Sequence, residues 1–274
     1  MDRLFAPQWA GGWTATRWLY VLVGLIAHLP RVQWLEDAYA DADFLYSRPP
    51  LSVPDWWILT PTSAAVIWAV SLIGLLTVAW GGRWAKAGLG LWLVGATLLV
   101  SHEGLNYKAY DRLHMWIGIA MLFAPVGERN LTQKARNPVG RWILLMVFCS
   151  LYGMTGWTKA LTEPGWLTGE VLAYHLVDLQ FGNRSLGLWA SGYPALTRAM
   201  SWATLAYECS FVFLIWSRRT NPWLLLAGVG FHLGIMLTMS VGPFSYITLV
   251  AFPVLLHPEV AQRWWERWRA PTAA

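Results

Sequence analysis

A lysine at the end of a long apolar segment is the first candidate for chemistry in this sequence. From Trp142 to Thr158 the chain carries no Asp, Glu, Lys or Arg, and Lys159 follows directly. An ammonium group that is partly removed from water loses its proton more readily, because desolvation disfavours the charged form. Lys159 can then act as a general base or a nucleophile. The alternative is that its side chain extends from a helix end to the lipid headgroups.

Two further ionisable residues, Glu208 and His232, lie near the middles of neighbouring apolar segments that a short basic turn connects. An ionisable group at membrane depth is costly, so it usually pairs, faces a cavity or has a function. We expect Glu208 and His232 to lie at similar depth and to pair, and the loss of either one to destabilise the fold. The alternative for His232 is a hydrogen bond to a neighbouring backbone or hydroxyl group.

A polar cluster, Asp111-Arg112-Leu113-His114, begins another apolar segment. Its simplest interpretation is an ion pair at a membrane interface, and His114 is kept as a candidate site residue. The six histidines lack the helical spacing of metal ligands, so no metal site is predicted. Cys149 and Cys209 fall inside apolar segments, where free thiols usually behave as small hydrophobic side chains.

The elements that must position these residues are membrane-spanning helices. Uncharged segments recur along the chain, including residues 56–82 and 220–258, and a helix needs roughly 20 apolar residues to cross a bilayer. The sequence Ser240-Val241-Gly242-Pro243 divides the longest of them. We predict an all-α, polytopic bundle of about eight transmembrane helices, at residues 14–30, 62–80, 85–102, 111–126, 140–157, 197–217, 222–240 and 243–257.

The composition agrees with a membrane protein. Hydrophobic residues make up 56% of the 274 residues and charged residues only 13%, whereas a soluble domain carries about a quarter charged residues. The 21 tryptophans suit membrane–water interfaces. We expect one transmembrane domain over residues 1–274, without a soluble C-terminal domain.

Charge asymmetry predicts the orientation. Alternating loops place most of the basic residues on one side of the membrane, and the positive-inside rule makes that side cytoplasmic. Both termini are then cytoplasmic, in the inner membrane if the source is bacterial, and Lys159 faces the extracytoplasmic side. The basic character indicates contact with anionic lipid and not with nucleic acid. Residues 18–29 with Ala38-Tyr39-Ala40 have features of a signal peptide, but the charged residues around them favour a retained first helix.

Two segments carry a resemblance to a known family. The first is Gly156-Trp157-Thr158-Lys159 with Pro164-Gly165-Trp166-Leu167-Thr168-Gly169, and the second runs from Phe231-His232 through Met239–Tyr246 to Pro258-Glu259. They resemble the HTTM family, the horizontally transferred transmembrane domains, which is similar to the membrane half of vitamin K-dependent γ-carboxylase.

The resemblance implies a helix bundle whose reaction chamber opens to the non-cytoplasmic side. It places Lys159 where the carboxylase lysine deprotonates vitamin K hydroquinone; oxygenation then yields a strong base that removes a glutamate γ-proton, and the carbanion takes up CO2. The implied cosubstrates are vitamin K hydroquinone or another quinol, with O2 and CO2. The implied catalytic residues are Lys159 and His232, and the implied substrate-binding residues are Trp157, Trp166, Glu208, His114 and Tyr246.

Two classes of function remain open from the sequence. One is a quinol-dependent oxygenase or carboxylase-type enzyme with Lys159 as base. The other is a non-catalytic membrane protein that binds lipid or quinone, or is the partner subunit of another protein. The feature that separates them is whether Lys159 is buried or extends to the headgroups. A transporter is the weaker third interpretation, because the sequence has no duplicated halves. The expected partners are the bilayer, a quinone or lipid, and a protein substrate or partner, with no nucleic acid.

Overall fold

The computed structural model has an all-helical fold apart from one short strand pairing. It describes residues 8–40, 59–102, 109–127, 134–135, 138–182 and 184–269. Strands β1 (Gln8–Trp9) and β2 (Lys134–Ala135) pair in antiparallel fashion, with Gln8 opposite Ala135. The chain divides into two compact units, Met1–Gly140 and Arg141–Ala274.

The first unit contains five α-helices among its described residues. A capping box between Thr60 and Ser63 begins the helix Pro61–Trp80, and Gly81, with φ of 75°, ends it. The helices are α1 (Ala10–His28), α2 (Leu35–Ala40), α3 (Pro61–Trp80), α4 (Ala85–His102) and α5 (Ala109–Leu122), with 3-10 turns at Leu29–Trp34 and Gly82–Trp84.

Glycines set the spacing between α3 and α4. A Cβ atom at Gly74 would lie 2.6 Å from the carbonyl oxygen of Gly88, and a Cβ atom at Gly88 would lie 2.7 Å from the carbonyl oxygen of Gly74. The two backbones therefore touch, which is how helices commonly pack in membranes, where close van der Waals contact replaces the hydrophobic drive.

The second unit joins three long helices through short ones. Three short helices fill the connection between the first two long helices, and they pack against the second of these around Trp166, Leu172 and Leu176. The helices are α6 (Val139–Thr162), α7 (Gly165–Thr168), α8 (Glu170–Val177), α9 (Ser185–Ser191), α10 (Pro194–Leu214), α11 (Asn221–Thr238), α12 (Phe244–Val250), α13 (Phe252–Leu255) and α14 (Pro258–Arg269).

Three helices in the described part of the chain, α3, α6 and α11, are long and apolar enough to cross a membrane. The segment Phe244–Leu255 and the start of α14 together would make a fourth, but they meet at an angle of 86°. The all-helical membrane fold is thus confirmed. Each predicted segment overlaps a helix, yet the short helices raise the number of described helices above eight. The eight crossings and the cytoplasmic termini stay predictions.

Two details of the last predicted segments can be compared with the structure. The predicted break at residues 240–243 is confirmed, since α11 ends at Thr238 and α12 begins at Phe244. The predicted helix over residues 243–257 corresponds to the segment Phe244–Leu255. The helix is interrupted at Ala251, shortly before Pro253, which has no backbone N–H to donate to the preceding turn.

The contact between α3 and α4 can be tested with two glycines of the same helix. Gly88→Ala should lower the free energy of unfolding by about 1–3 kcal/mol, because its Cβ has no space between the backbones. A Cβ atom at Gly90 would point into open space, so Gly90→Ala should be neutral or slightly stabilising, since alanine is the better helix former. Thermal unfolding of the purified proteins in detergent measures both. Equal melting temperatures for the two variants would contradict the packing.

Candidate functional site

The candidate site is built where α6 packs tightly on α10. A Cβ atom at Gly156 would lie 2.7 Å from Cβ of Glu208, and one at Gly153 would lie 2.8 Å from Cγ2 of Val212. The later glycine of α6 meets the earlier residue of α10, so the two helices run antiparallel. Two glycines three residues apart lie on one face of a helix, and this face brings the backbone of α6 against α10.

Lys159 lies on the same face of α6, nearly one turn beyond Gly156, and forms an ion pair with Glu208. Its Nζ donates to both carboxylate oxygens of Glu208 at 2.8 Å. The side chain of Lys159 is 22% exposed and that of Glu208 is 7% exposed. The ammonium is therefore directed at a largely buried carboxylate, and the pair is mostly removed from water.

An indole ring completes the surroundings of the ammonium. The Nζ atom of Lys159 lies 4.6 Å from the ring centroid of Trp166, within the range of a cation–π interaction. The indole Nε1 of Trp166 donates to Oε2 of Glu163 at 2.8 Å. Lys159 is thus held between the carboxylate of Glu208 and the aromatic face of Trp166.

Helix α7 carries Trp166 and is fixed against α10 by backbone contacts. The Trp166 carbonyl accepts a hydrogen bond from the Ser201 hydroxyl, and the Leu167 carbonyl accepts one from Nε1 of Trp202 at 2.9 Å. Gly169 ends this short helix with φ of 85°, where a Cβ atom would lie 2.5 Å from the backbone nitrogen of Arg198. The last glycine of the Trp-x-x-Gly segment is therefore needed both for its conformation and for its closeness to α10.

His232 lies in a separate buried hydrogen-bond chain. Its Nε2 is 2.7 Å from the Tyr152 hydroxyl and its Nδ1 is 3.3 Å from Oγ of Ser245, and the residue is fully buried. The predicted pairing of Glu208 with His232 is therefore wrong. Glu208 contacts α6 at Lys159, whereas His232 contacts it at Tyr152. These two positions are about two turns, or roughly 10 Å, apart along the helix.

The backbone between α11 and α12 is irregular, as the contact between His232 and Ser245 indicates. Ser245 is at the beginning of α12, whereas α11 continues for about another 9 Å beyond His232 to Thr238. Residues 239–243 therefore return into the unit without helical structure, and the amide of Ser240 donates to the Phe181 carbonyl at 2.6 Å. At membrane depth such backbone is tolerated only inside protein or along a water-filled cavity.

Two predicted site residues, Trp157 and Tyr246, are not part of this arrangement. Trp157 is 45% exposed and Tyr246 is 46% exposed, so each presents much of its ring to the outside of the unit. The structure brings together Lys159, Glu208 and Trp166, and connects His232 to the same helix through Tyr152. Tyr152 was not among the predicted site residues, although its position two helical turns before Lys159 places it on the same side of α6.

His114 belongs to the first unit, where it is buried among aromatic rings. Its Nε2 lies 3.2 Å from the Tyr20 carbonyl oxygen, and its ring centroid lies 4.0 Å from that of Tyr20. Nε1 of Trp92 donates to the Tyr20 hydroxyl at 2.9 Å. Asp111 does form an ion pair: Nη2 of Arg31 donates to its Oδ1 at 2.8 Å and to its Oδ2 at 2.9 Å. Among the described residues, no group of three or more His, Cys, Asp or Glu side chains could hold a metal ion.

Comparison with known proteins gives one match. A family model described as HTTM domain matches residues 15–260. No curated protein and no solved structure matches the chain. The matched range extends from α1 to the beginning of α14, and it contains both the ion pair at Lys159 and the histidine chain at His232.

The ion pair can be tested by a double-mutant cycle. Lys159→Met and Glu208→Met should each lower the free energy of unfolding by about 2–3 kcal/mol, because each leaves the other charge unpaired in a largely buried place. The double variant should recover most of that loss, since it leaves no buried charge. Denaturant unfolding in detergent measures all three. Arg218→Ala, which breaks an exposed pair with Glu259, is the control and should change stability by under about 1 kcal/mol. Additive losses in the double variant would contradict the pairing.

Proposed function

The chain belongs to the HTTM domain family, and we propose that it is a membrane enzyme similar to the membrane half of vitamin K-dependent γ-carboxylase, with a quinol as cosubstrate. The observation that carries the proposal is the ion pair between Lys159 and Glu208. An ammonium and a carboxylate in direct contact, at a place of low exposure and beside an aromatic face, form an acid–base pair of the kind that functional sites use.

The pair offers a route for Lys159 to act as a base. Transfer of one proton from Nζ of Lys159 to an Oε atom of Glu208, across the 2.8 Å contact, gives a neutral amine and a neutral carboxylic acid. The net charge of the pair does not change, so this transfer suits a site with little water. The free amine can then accept a proton from an acidic hydroxyl group, and the face of Trp166 provides a flat apolar surface beside it.

The surroundings of the pair are apolar and aromatic, which supports a lipid-soluble cosubstrate such as a quinol. Trp166 lies in a cluster of buried apolar side chains with Leu172 and Leu176, next to the charged pair. A bound quinol, either vitamin K hydroquinone or a related one, supplies the reducing equivalents for O2, and CO2 is the carboxyl donor of a carboxylase-type reaction. We assign His232 an assisting role in catalysis. Its Nε2 contacts the hydroxyl of Tyr152, which lies on the same helix as Lys159. Binding roles for His114, Trp157 and Tyr246 stay predictions.

The same proposal includes the topology. Eight crossings with cytoplasmic termini put the end of α6 that carries Lys159 on the extracytoplasmic side. Supporting this orientation, Arg218 and Arg219 lie in the turn between α10 and α11, at the other end of these antiparallel helices. The irregular backbone of residues 239–243 lies at the same end as Lys159. This supports a chamber open to that side, because irregular backbone at membrane depth is tolerated along a water-filled cavity.

Turnover of a quinol by the purified protein tests the proposed enzymatic activity. In lipid nanodiscs with vitamin K hydroquinone and O2, wild type should form the epoxide, measured by liquid chromatography. Lys159→Gln and Glu208→Gln should each reduce the rate by about 100-fold or more, because the acid–base pair is lost. Lys86→Gln, which changes an exposed lysine of α4, is the matched control and should keep the wild-type rate.

A folded wild-type protein that forms no epoxide with vitamin K hydroquinone or several other quinols would contradict the enzyme. It would favour the second candidate, a non-catalytic membrane protein that binds lipid or quinone or is a partner subunit. One observation favours that candidate: the ammonium of Lys159 already contacts both oxygens of Glu208 and the Trp166 ring, so the pair also serves to join α6, α7 and α10. Saturable binding of a radiolabelled quinone without turnover would identify this case.

A further inference from the structure

The joint between α13 and α14 is a rigid corner held by a buried asparagine. Asn221 is fully buried, and its Nδ2 donates to the carbonyls of Ile215 at 2.9 Å and Leu255 at 3.0 Å. Its Oδ1 accepts from the backbone amide of His257 at 2.7 Å. One side chain therefore connects the end of α10, the start of α11 and the start of α14.

Arg141 fixes the same corner from α6. Its Nε donates to the Val254 carbonyl at 3.1 Å and its Nη2 to the Leu255 carbonyl at 3.4 Å. The start of α6, the end of α10, the start of α11 and the end of α13 thus meet at one end of the second unit. We call this end, which is opposite the end of α6 that carries Lys159, the basic end.

Helix α14 leaves this corner almost at a right angle. The segment Phe244–Leu255 and residues 258–264 form an angle of 86°. The apolar helix α11, which begins at the corner, has 18 residues and is about 27 Å long, close to the roughly 30 Å of a bilayer's hydrocarbon core. A helix that starts where α11 starts, and runs across the direction of the spans, lies along the membrane surface.

Helix α14 changes along its length. Val260 and Ala261 in its first turn are buried, whereas Arg263, Trp264 and Arg267 in its later turns are exposed. Tryptophan prefers the boundary between the acyl chains and the headgroups, and the guanidinium group of arginine suits phosphate. The basic end is also strongly positive in sequence, since α14 and the turn before α11 contain five arginines against two glutamates, and Glu259 is already paired with Arg218 at 3.2 Å.

We propose that α14 is an interfacial helix that lies in the headgroup layer and binds anionic phospholipid headgroups through Arg263 and Arg267. Trp264 places its ring at the acyl boundary, and Arg219 adds charge from the neighbouring turn. The occupant of this surface is anionic lipid, because the exposed later turns of α14 combine arginines with a tryptophan and their counter-charges are few. The corner at Asn221 keeps the helix in this plane.

The depth of α14 gives the first test. A nitroxide label is attached to Gln262→Cys or to Trp264→Cys, in full-length protein in which Cys149 and Cys209 are replaced by alanine, and the protein is placed in nanodiscs of phosphatidylcholine and phosphatidylglycerol. Power saturation should show the label at position 264 accessible to O2 and that at position 262 accessible to a water-soluble nickel chelate. Two labels that are both fully accessible to the chelate would overturn the interfacial placement and leave the surface for a protein partner or a second copy.

Lipid affinity gives the second test. Wild-type protein in detergent is titrated with phosphatidylglycerol that carries a fluorescent acyl chain, with phosphatidylcholine as competitor. Arg263→Gln/Arg267→Gln should weaken phosphatidylglycerol binding about tenfold or more, since each arginine contributes electrostatic attraction to the anionic headgroup. Lys86→Gln/Arg184→Gln, which removes two exposed charges elsewhere, is the charge-matched control and should keep the wild-type affinity. Equal affinity for the two double variants, or equal binding of both lipids by wild type, would overturn the proposal.

Discussion

The contact that the second unit depends on is the close approach of α6 to α10 at Gly156. Because Gly156 has no side chain, the two backbones approach closely there, and side chains on the same face of α6 can reach α10 directly. Lys159 follows on the same face of α6 and reaches both oxygens of Glu208, and the short helix α7 places the Trp166 ring over the ammonium. The glycine, the lysine and the tryptophan of the sequence motif are thus parts of one packing arrangement.

The sequence predicted the elements better than the pairs between them. Uncharged segments located the long helices, because a bilayer requires long apolar runs, and Gly242-Pro243 located the break after α11. The choice of partner for Glu208 could not be derived in the same way. Distance along the chain gives an approximate depth, but helix tilt and the rotation of each helix about its axis decide which side chains meet. Those depend on contacts such as Gly156 that become visible only in three dimensions.

The polar residues within apolar segments were correctly identified as residues that need partners. Asp111 pairs with Arg31, which is 80 positions earlier in the chain, and His232 is satisfied by Tyr152 and Ser245 on two different helices. Because a buried polar group left unpaired is costly, the sequence indicates that a partner exists. It does not indicate which one, since every donor or acceptor at comparable depth is a candidate.

The two ends of the second unit carry different chemistry, and this difference connects topology to function. The basic end is a fixed corner with arginines on its surface, held by Asn221 and Arg141. The other end holds a charged pair that is neutral in sum, together with the irregular backbone of residues 239–243. If arginines and anionic lipid keep the basic end at the cytoplasmic surface, the spans carry the pair at Lys159 towards the opposite face. In the enzyme proposed above, a quinol dissolved in the bilayer would reach the pair from the membrane and a second substrate would enter from the extracytoplasmic side, so that proposal depends on the orientation of the bundle.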